Sequence, residues 1–101
     1  DLMNAYDLAV EKNDIARGQV YNVGGGPANV MSIWAEFRPK LEKYIGRTLE
    51  VARGDWRPGD QRVFYADITK AEKELGWKPK INVEEGVQKL FEWVQENKNL
   101  F

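Results

Sequence analysis

The closing segment, residues 81–98, constrains the fold of this chain most. Its sequence, INVEEGVQKLFEWVQENK, repeats apolar residues at three- and four-residue spacings, which predicts an amphipathic helix. The predicted buried face consists of Val83, Val87, Leu90, Phe91 and Val94. Asn82, followed three residues later by Glu85, resembles a capping box and predicts the start of the helix. A helix with one apolar face needs a second layer against which to pack.

Two other helices are predicted from the same periodicity and from residues that favour helix ends. The first runs from Asp1, a plausible cap, to Lys12. The other is short: Asp67 can cap its start and Gly76 can end it, with Pro79 just beyond.

A fourth predicted helix lies in the middle of the chain. Ser32 can cap its start and Gly46 supplies its end. Pro39 falls inside its apolar stripe and removes one backbone donor, so we expect a kink there.

Two segments favour strands. QVYNVGGG places the β-favouring Val20, Tyr21 and Val23 before a glycine turn, and TLEVAR alternates Leu49 and Val51 with polar neighbours. The order of elements therefore predicts an α/β fold, a small mixed unit of about four helices and two to three short strands, forming a single region over residues 1–101. So few strands make a thin sheet, which predicts that the chain is part of something larger.

Composition excludes several kinds of chemistry. The chain has no cysteine and no histidine, so it has no thiolate or imidazole nucleophile, base or metal ligand. Fifteen basic and sixteen acidic residues nearly cancel without long runs of either sign, which argues against a nucleic-acid or membrane-surface partner. No apolar run is long enough to span a membrane, and we expect a cytoplasmic protein.

The glycine segment NVGGGPAN has two interpretations. Gly24 and Gly26 stand where the first two glycines of a dinucleotide-binding turn would stand, but Asn29 occupies the third position and Pro27 removes an amide. The favoured interpretation is a strand-to-helix turn whose glycines permit positive φ or close packing against a neighbour.

The segment GDWRPGDQRVFYAD, residues 54–67, is the richest in polar groups. A type I or type II turn centred on Pro58 and Gly59 would bring Arg57 and Asp60 to its two ends. They either form a surface ion pair or serve a ligand, with Arg57 offering its planar guanidinium to a phosphate or carboxylate and Asp60 accepting from a hydroxyl or amide. Further polar side chains follow at Gln61, Arg62 and Tyr65.

Trp56 could stack on a ring or fill the core, and the core is the favoured interpretation for a tryptophan. Trp77 and Trp93 are likewise expected to pack.

Three segments together resemble a known family. GQVYNVGGG, RPGDQRVFYADITKAEKELGWKP and EEGVQKLFEW are similar to the C-terminal substrate-binding region of the extended short-chain dehydrogenase/reductases, the NAD-dependent nucleotide-sugar epimerases and dehydratases. Within that family the segment around Gln61 is most similar to the CDP-tyvelose 2-epimerase (CDP-paratose epimerase) branch. The resemblance implies that Arg57 contacts the diphosphate of a CDP- or UDP-sugar and that Asp60 helps to hold the nucleoside. Phe64 stands at a position that touches substrate in some members, but it lacks their hydroxyl.

The resemblance also implies what this chain lacks. The family binds NAD through an N-terminal Rossmann domain and uses a Tyr-x-x-x-Lys pair in catalysis, and no tyrosine here is followed by lysine at that spacing. We therefore expect a C-terminal fragment without its dinucleotide domain, which binds no NAD and is inactive by itself. The alternatives are a free-standing module that binds a nucleotide or phosphorylated ligand, and a purely structural α/β unit.

Overall fold

The computed structural model describes residues 1–101, and its regular structure is entirely helical. The helices are α1 (Leu2–Glu11), α2 (Asn13–Ala16), α3 (Arg38–Ile45) and α4 (Val83–Glu96), with π-helical turns at Ile33–Phe37 and Ala71–Leu75 and a 3₁₀ turn at Lys98–Leu100. The chain divides into two compact units, one of Asp1–Val30 with Tyr65–Phe101 and the other of Met31–Phe64. None of these helices has the length and apolar content needed to cross a bilayer.

The predicted α/β fold is wrong, because the structure contains no strand. Neither Val20–Val23 nor Leu49–Val51 forms regular structure, although both carry residues with high β-propensity. A strand is stable only when its backbone groups pair with a neighbouring strand. Propensity alone does not supply that neighbour, and no other segment of the chain does so.

The core of the first unit is small and centres on Trp77. Ala5, Ala71, Leu75 and Trp77 form a buried cluster, and Trp77 is only 1% exposed. Its indole Nε1 donates a hydrogen bond to the carbonyl oxygen of Asp1 at 3.1 Å, so its polar group is satisfied. The expected packing role of Trp77 is confirmed.

Asp1 is the N-cap residue of α1, but its carboxylate makes no capping hydrogen bond to that helix. Its two oxygens instead accept from the backbone N–H groups of Lys80 and Ile81, at 3.1 and 3.0 Å. The carboxylate therefore joins the start of α1 to the segment that precedes α4. That segment leads into a conventional cap, in which the Asn82 side chain accepts from the Glu85 N–H at 2.9 Å, as expected.

Helix α4 is less buried than its sequence pattern predicts. It contains no fully buried residue: Val83, Val87, Phe91 and Val94 are half-buried, whereas Leu90 is 59% exposed. Trp93, which was expected to pack, is 47% exposed and meets Phe101 edge-on. Large apolar side chains are also exposed on α1, including Leu2, Met3, Tyr6 and Val10.

In the second unit the helical conformation changes from a π turn to an α-helix next to Pro39. Ser32 caps the start by accepting from the Ala35 N–H, and its own N–H donates to the Glu36 carboxylate. The Phe37 N–H then bonds to the Ser32 carbonyl, five residues back, so the first turn is a wide π turn. Pro39 lacks an N–H and cannot continue a regular ladder, and the tighter helix α3 starts at this point.

Helix α3 ends as predicted at Gly46, which adopts φ +70°. Beyond it, the Glu42 carboxylate holds the returning chain by accepting from the Leu49 N–H at 2.9 Å and from Arg38 Nε at 2.9 Å. These bonds, the Leu49 amide first and Arg38 second, lower the pKa of Glu42 below its ordinary value of 4.5.

Candidate functional site

The turn at Pro58–Gly59 forms as predicted, and its type is now defined. The Asp60 N–H donates to the Arg57 carbonyl oxygen at 3.1 Å, which closes a four-residue turn. Gly59 has φ +84°, the value required at the third position of a type II turn. A residue with a side chain would be strained at this φ, which explains why glycine occupies the position.

The turn brings Arg57 and Asp60 together. Arg57 Nε lies 3.0 Å from Asp60 Oδ2, so the two side chains form an ion pair across the turn. The Arg57 side chain is 84% exposed and that of Asp60 is 32% exposed. Because the pair uses Nε, the terminal guanidinium nitrogens, which make no hydrogen bond within the chain, point into solvent and can receive an anion.

The two other predicted site residues, Gln61 and Phe64, do not contact the Arg57–Asp60 ion pair. Gln61 and Phe64 are both exposed, and Phe64 is 70% exposed. Neither makes a hydrogen bond or ring contact with Arg57 or Asp60. Within its own unit, the turn thus presents a charged pair followed by an exposed amide and an exposed phenyl ring.

Trp56 lies in the same polar loop, and its exposure differs from the favoured prediction. It was expected in the core, but it is 62% exposed, and the Arg62 guanidinium carbon lies 5.2 Å from the centroid of its ring. This is the geometry of a cation–π contact. The sequence feature that could have predicted this contact is Arg62, which follows Trp56 on the other side of the Pro58–Gly59 turn.

The charge of the loop is weakly positive. Residues 53–62 contain three arginines, at 53, 57 and 62, and two aspartates, at 55 and 60, so the net charge is +1. Because all of these residues are exposed, the field they produce is screened by salt and acts over a short range.

Asp67, at the far end of the polar segment, has a structural role. Its Oδ1 accepts from the Thr69 N–H at 2.9 Å and so caps the helical segment that leads to Ala71–Leu75, as predicted. Hydrogen bonds from the Thr69 side chain and then from its backbone lower the pKa of Asp67 below its ordinary value of 3.8. Gly76 ends this helical segment at φ +71°.

The glycine segment 24–26 is packed rather than open. A Cβ on Gly24 would lie 2.8 Å from the Cβ of Ala66, and a Cβ on Gly25 would lie 2.7 Å from the carbonyl oxygen of Asn29. Gly26 has φ +69° and is buried. These observations confirm the predicted close packing and positive φ, but the turn does not follow a strand as predicted.

The same segment does not fit a dinucleotide. No strand precedes the glycines, and the next helical residue after Gly26 is Ile33. A pyrophosphate-binding turn instead leads directly into a helix whose N-terminal amides face the phosphates.

A tyrosine and a lysine do meet elsewhere in the first unit. Lys70 Nζ lies 4.8 Å from the centroid of the Tyr21 ring and donates to Gln19 Oε1 at 2.8 Å, while the Tyr21 hydroxyl donates to Glu74 Oε2 at 2.7 Å. Partial burial first, and the Glu74 carboxylate second, raise the pKa of Tyr21 above its ordinary value of 10.0. These contacts join residues 19–21 to the helical segment that contains Lys70 and Glu74.

Comparison with known proteins defines the class to which the chain belongs. The model of the family described as GDP-mannose 4,6 dehydratase matches residues 1–90. The chain belongs to this family of extended short-chain dehydrogenase/reductase epimerases and dehydratases, which confirms the resemblance at the family level.

Individual relatives are nucleotide-sugar epimerases by name. The chain is 34% identical over 93 residues to CDP-paratose 2-epimerase of Salmonella typhi, covering 92% of this chain and 27% of that protein. It is 36% identical over 100 residues to UDP-glucose 4-epimerase 2 of Arabidopsis thaliana, covering 96% of this chain and 27% of the relative. It is also 36% identical over 95 residues to UDP-glucuronate 4-epimerase of Thermodesulfobacterium geofontis, covering 84% and 29%.

The chain thus spans about a quarter of the length of these curated relatives. No solved structure matches it.

Proposed function

We propose that this chain is the substrate-recognition region of an NAD-dependent nucleotide-sugar epimerase or dehydratase, of the CDP-sugar 2-epimerase type. In this proposal Arg57 binds the diphosphate of the nucleotide-sugar and Asp60 accepts a hydrogen bond from the nucleoside. The observation that carries it is the exposed Arg57 guanidinium, held at one end of a type II turn with Asp60 at the other.

The geometry suits a diphosphate for a physical reason. The Asp60 carboxylate engages Arg57 Nε, which orients the guanidinium plane and leaves the terminal nitrogens for the ligand. Two parallel N–H donors match two oxygens of a phosphate group. An exposed ion pair contributes only ~0–1 kcal/mol, so little is lost when the guanidinium is shared with an anion.

Gln61 and Phe64 complete the proposed substrate surface. The exposed Gln61 amide can donate and accept hydrogen bonds with a sugar or base. Phe64 has no hydroxyl and contributes apolar contact alone, which sets this loop apart from one with a tyrosine at the same position.

Catalysis is proposed to lie outside the chain. Bound NAD would supply reversible hydride transfer to and from the sugar, and the glycine segment at 24–26 does not fit that cofactor. We assign NAD and the catalytic tyrosine to an N-terminal dinucleotide domain, so that residues 1–101 alone bind no NAD and are inactive. Such a domain would also cover some of the exposed apolar side chains, including Met3, Val10 and Leu90.

What this chain contributes to the reaction is position. Holding the diphosphate while leaving the sugar free lets the ring present the reacting carbon to the cofactor. Orientation of this kind accelerates a reaction because the entropy of bringing the reacting atoms together is lost on binding and not in the chemical step.

The proposal is tested by titrating CDP- and UDP-sugars into the longer protein that contains this chain, using isothermal calorimetry. Arg57→Ala is expected to weaken binding roughly 10- to 150-fold, the value of a hydrogen bond to a charged group. Arg47→Ala is the matched control, because Arg47 is an exposed arginine of the same unit outside the loop. Equal affinities in the two variants would rule out the assigned role of Arg57.

One observation favours a second candidate, a purely structural turn. Arg57 already pairs with Asp60, and an ion pair across a turn can form without binding any ligand. In that case the double variant Arg57→Ala/Asp60→Ala changes the thermal stability of the protein and leaves its affinity for nucleotide-sugars intact.

A further inference from the structure

Trp56 carries an unused surface beside the proposed diphosphate site. Its side chain is 62% exposed, and the guanidinium of Arg62 lies over its ring at 5.2 Å from the centroid. Arg62 lies over one face of the ring, and most of the side chain stays accessible to a ligand. We propose that the exposed ring of Trp56 stacks on the base of the bound nucleoside diphosphate, with Arg62 as a positioning residue behind the ring.

This inference rests on the proposed function, since it identifies the part of the same ligand that lies beyond the diphosphate. The Cα atoms of residues 56 and 57 are about 3.8 Å apart, so the indole and the Arg57 guanidinium leave the backbone at adjacent positions. A nucleoside diphosphate has an anionic group at one end and a flat aromatic ring at the other. Residues 56 and 57 offer the complementary groups in the same order.

The exposed ring of Trp56 is available for a ligand. The cation–π contact with Arg62 contributes little to stability, since such a pair at an exposed site contributes only a small free energy. The chemistry of the pair is suited to a base: the indole supplies a wide π surface, and the cation behind it fixes the orientation of the ring. Stacking of this kind tolerates any base, so we assign a nucleobase without choosing between pyrimidine and purine.

The test compares CDP and UDP with inorganic pyrophosphate as ligands of the longer protein that contains this chain. Trp56→Leu is expected to weaken CDP and UDP binding roughly 5- to 150-fold, which is the range for loss of one base–aromatic stack. Pyrophosphate affinity is expected to stay within about twofold, because pyrophosphate has no base. Trp56→Phe keeps an aromatic face and is expected to retain most of the CDP affinity.

Fluorescence gives a second readout of the same contact. A base stacked on the indole quenches its emission, so CDP is expected to quench the wild-type protein and Trp56→Phe to lose that quench, whereas pyrophosphate quenches neither. Arg62→Gln is expected to weaken CDP binding roughly 2- to 5-fold through poorer positioning of the ring, and Arg62→Lys to restore part of it.

The outcomes separate this inference from the proposed function. If Arg57→Ala weakens CDP binding and Trp56→Leu does not, the stacking role is overturned and the function stands. If Trp56→Leu weakens CDP binding and Arg57→Ala does not, the stack is supported and the diphosphate role of Arg57 fails. If neither variant changes CDP affinity, both are overturned. Trp56 is a surface side chain, so both variants are expected to fold, and circular dichroism checks this.

Discussion

Replacement of Trp77 by alanine is expected to remove most of the stability of the first unit. The side chain is 1% exposed and lies among Ala5, Ala71 and Leu75, so its whole surface is withdrawn from water. A tryptophan buries about 150–250 Å². At ~25 cal/mol per Å² this corresponds to ~4–6 kcal/mol, an upper estimate close to the ~3–5 kcal/mol typical of large aromatic-to-alanine changes in cores.

Trp93 provides the matched comparison. It is 47% exposed, so the same calculation on about half the area gives ~2–3 kcal/mol, with no closed cavity left behind. Trp77→Phe is expected to cost less than Trp77→Ala, because a ring remains and the Asp1 carbonyl keeps its hydrogen bond from the Ala5 N–H.

The measurement is urea unfolding of the chain and its variants, followed by far-ultraviolet circular dichroism. We expect the free energy of unfolding to fall by at least about 1–2 kcal/mol more in Trp77→Ala than in Trp93→Ala. Equal losses in the two variants would contradict the placement of the core around Trp77.

Three further predictions follow from local contacts. Gly24→Ala is expected to destabilise the chain by ~1–3 kcal/mol, since its Cβ would lie 2.8 Å from the Cβ of Ala66, and adding Ala66→Gly should recover part of that loss. Gly54→Ala is the control, because no atom lies within 4 Å of the new Cβ. Equal melting temperatures for the two alanine variants would refute the packing argument. The pKa of Glu42 is lowered in the folded state, so its ionised carboxylate stabilises the second unit at pH values above 4.5, the ordinary pKa of a glutamate. This contribution is lost as the pH falls through the lowered pKa of the folded state. The melting temperatures of wild type and Glu42→Gln should therefore differ near neutral pH and converge in acid, and a difference that grows in acid would contradict this sign. Gly59→Ala is expected to strain the turn at φ +84° by ~1–2 kcal/mol and to weaken nucleotide-sugar binding. Gly54→Ala is expected to change neither stability nor binding. Unchanged binding in Gly59→Ala would show that the turn is not part of the ligand site.

Features set by neighbouring residues could be predicted from the sequence. Ser32 and Asn82 cap helices, Gly46 and Gly76 end them, and Pro58–Gly59 forms the turn, because each depends on side chains and backbone within a few residues. The ion pair of Arg57 with Asp60 follows from that turn.

Features set by distant contacts could not. The β-favouring residues around Val20 and Val51 indicate a preference, but a strand needs a partner segment, which local sequence does not specify. The hydrophobicity of Trp56 likewise does not determine whether other residues bury it, and here the side chain is 62% exposed with Arg62 over its ring. The carboxylate of Asp1 could cap α1, but it bonds to the distant Lys80 and Ile81 amides instead.

The central claim is that the Arg57 guanidinium binds the diphosphate of a nucleotide ligand. The most direct measurement is the ratio of the affinities for CDP and for cytidine in the longer protein that contains this chain, in wild type and in Arg57→Ala. We expect the ratio to fall at least about tenfold in the variant, with the affinity for cytidine itself unchanged, because cytidine has no phosphate for the guanidinium to bind. An unchanged ratio would contradict the claim.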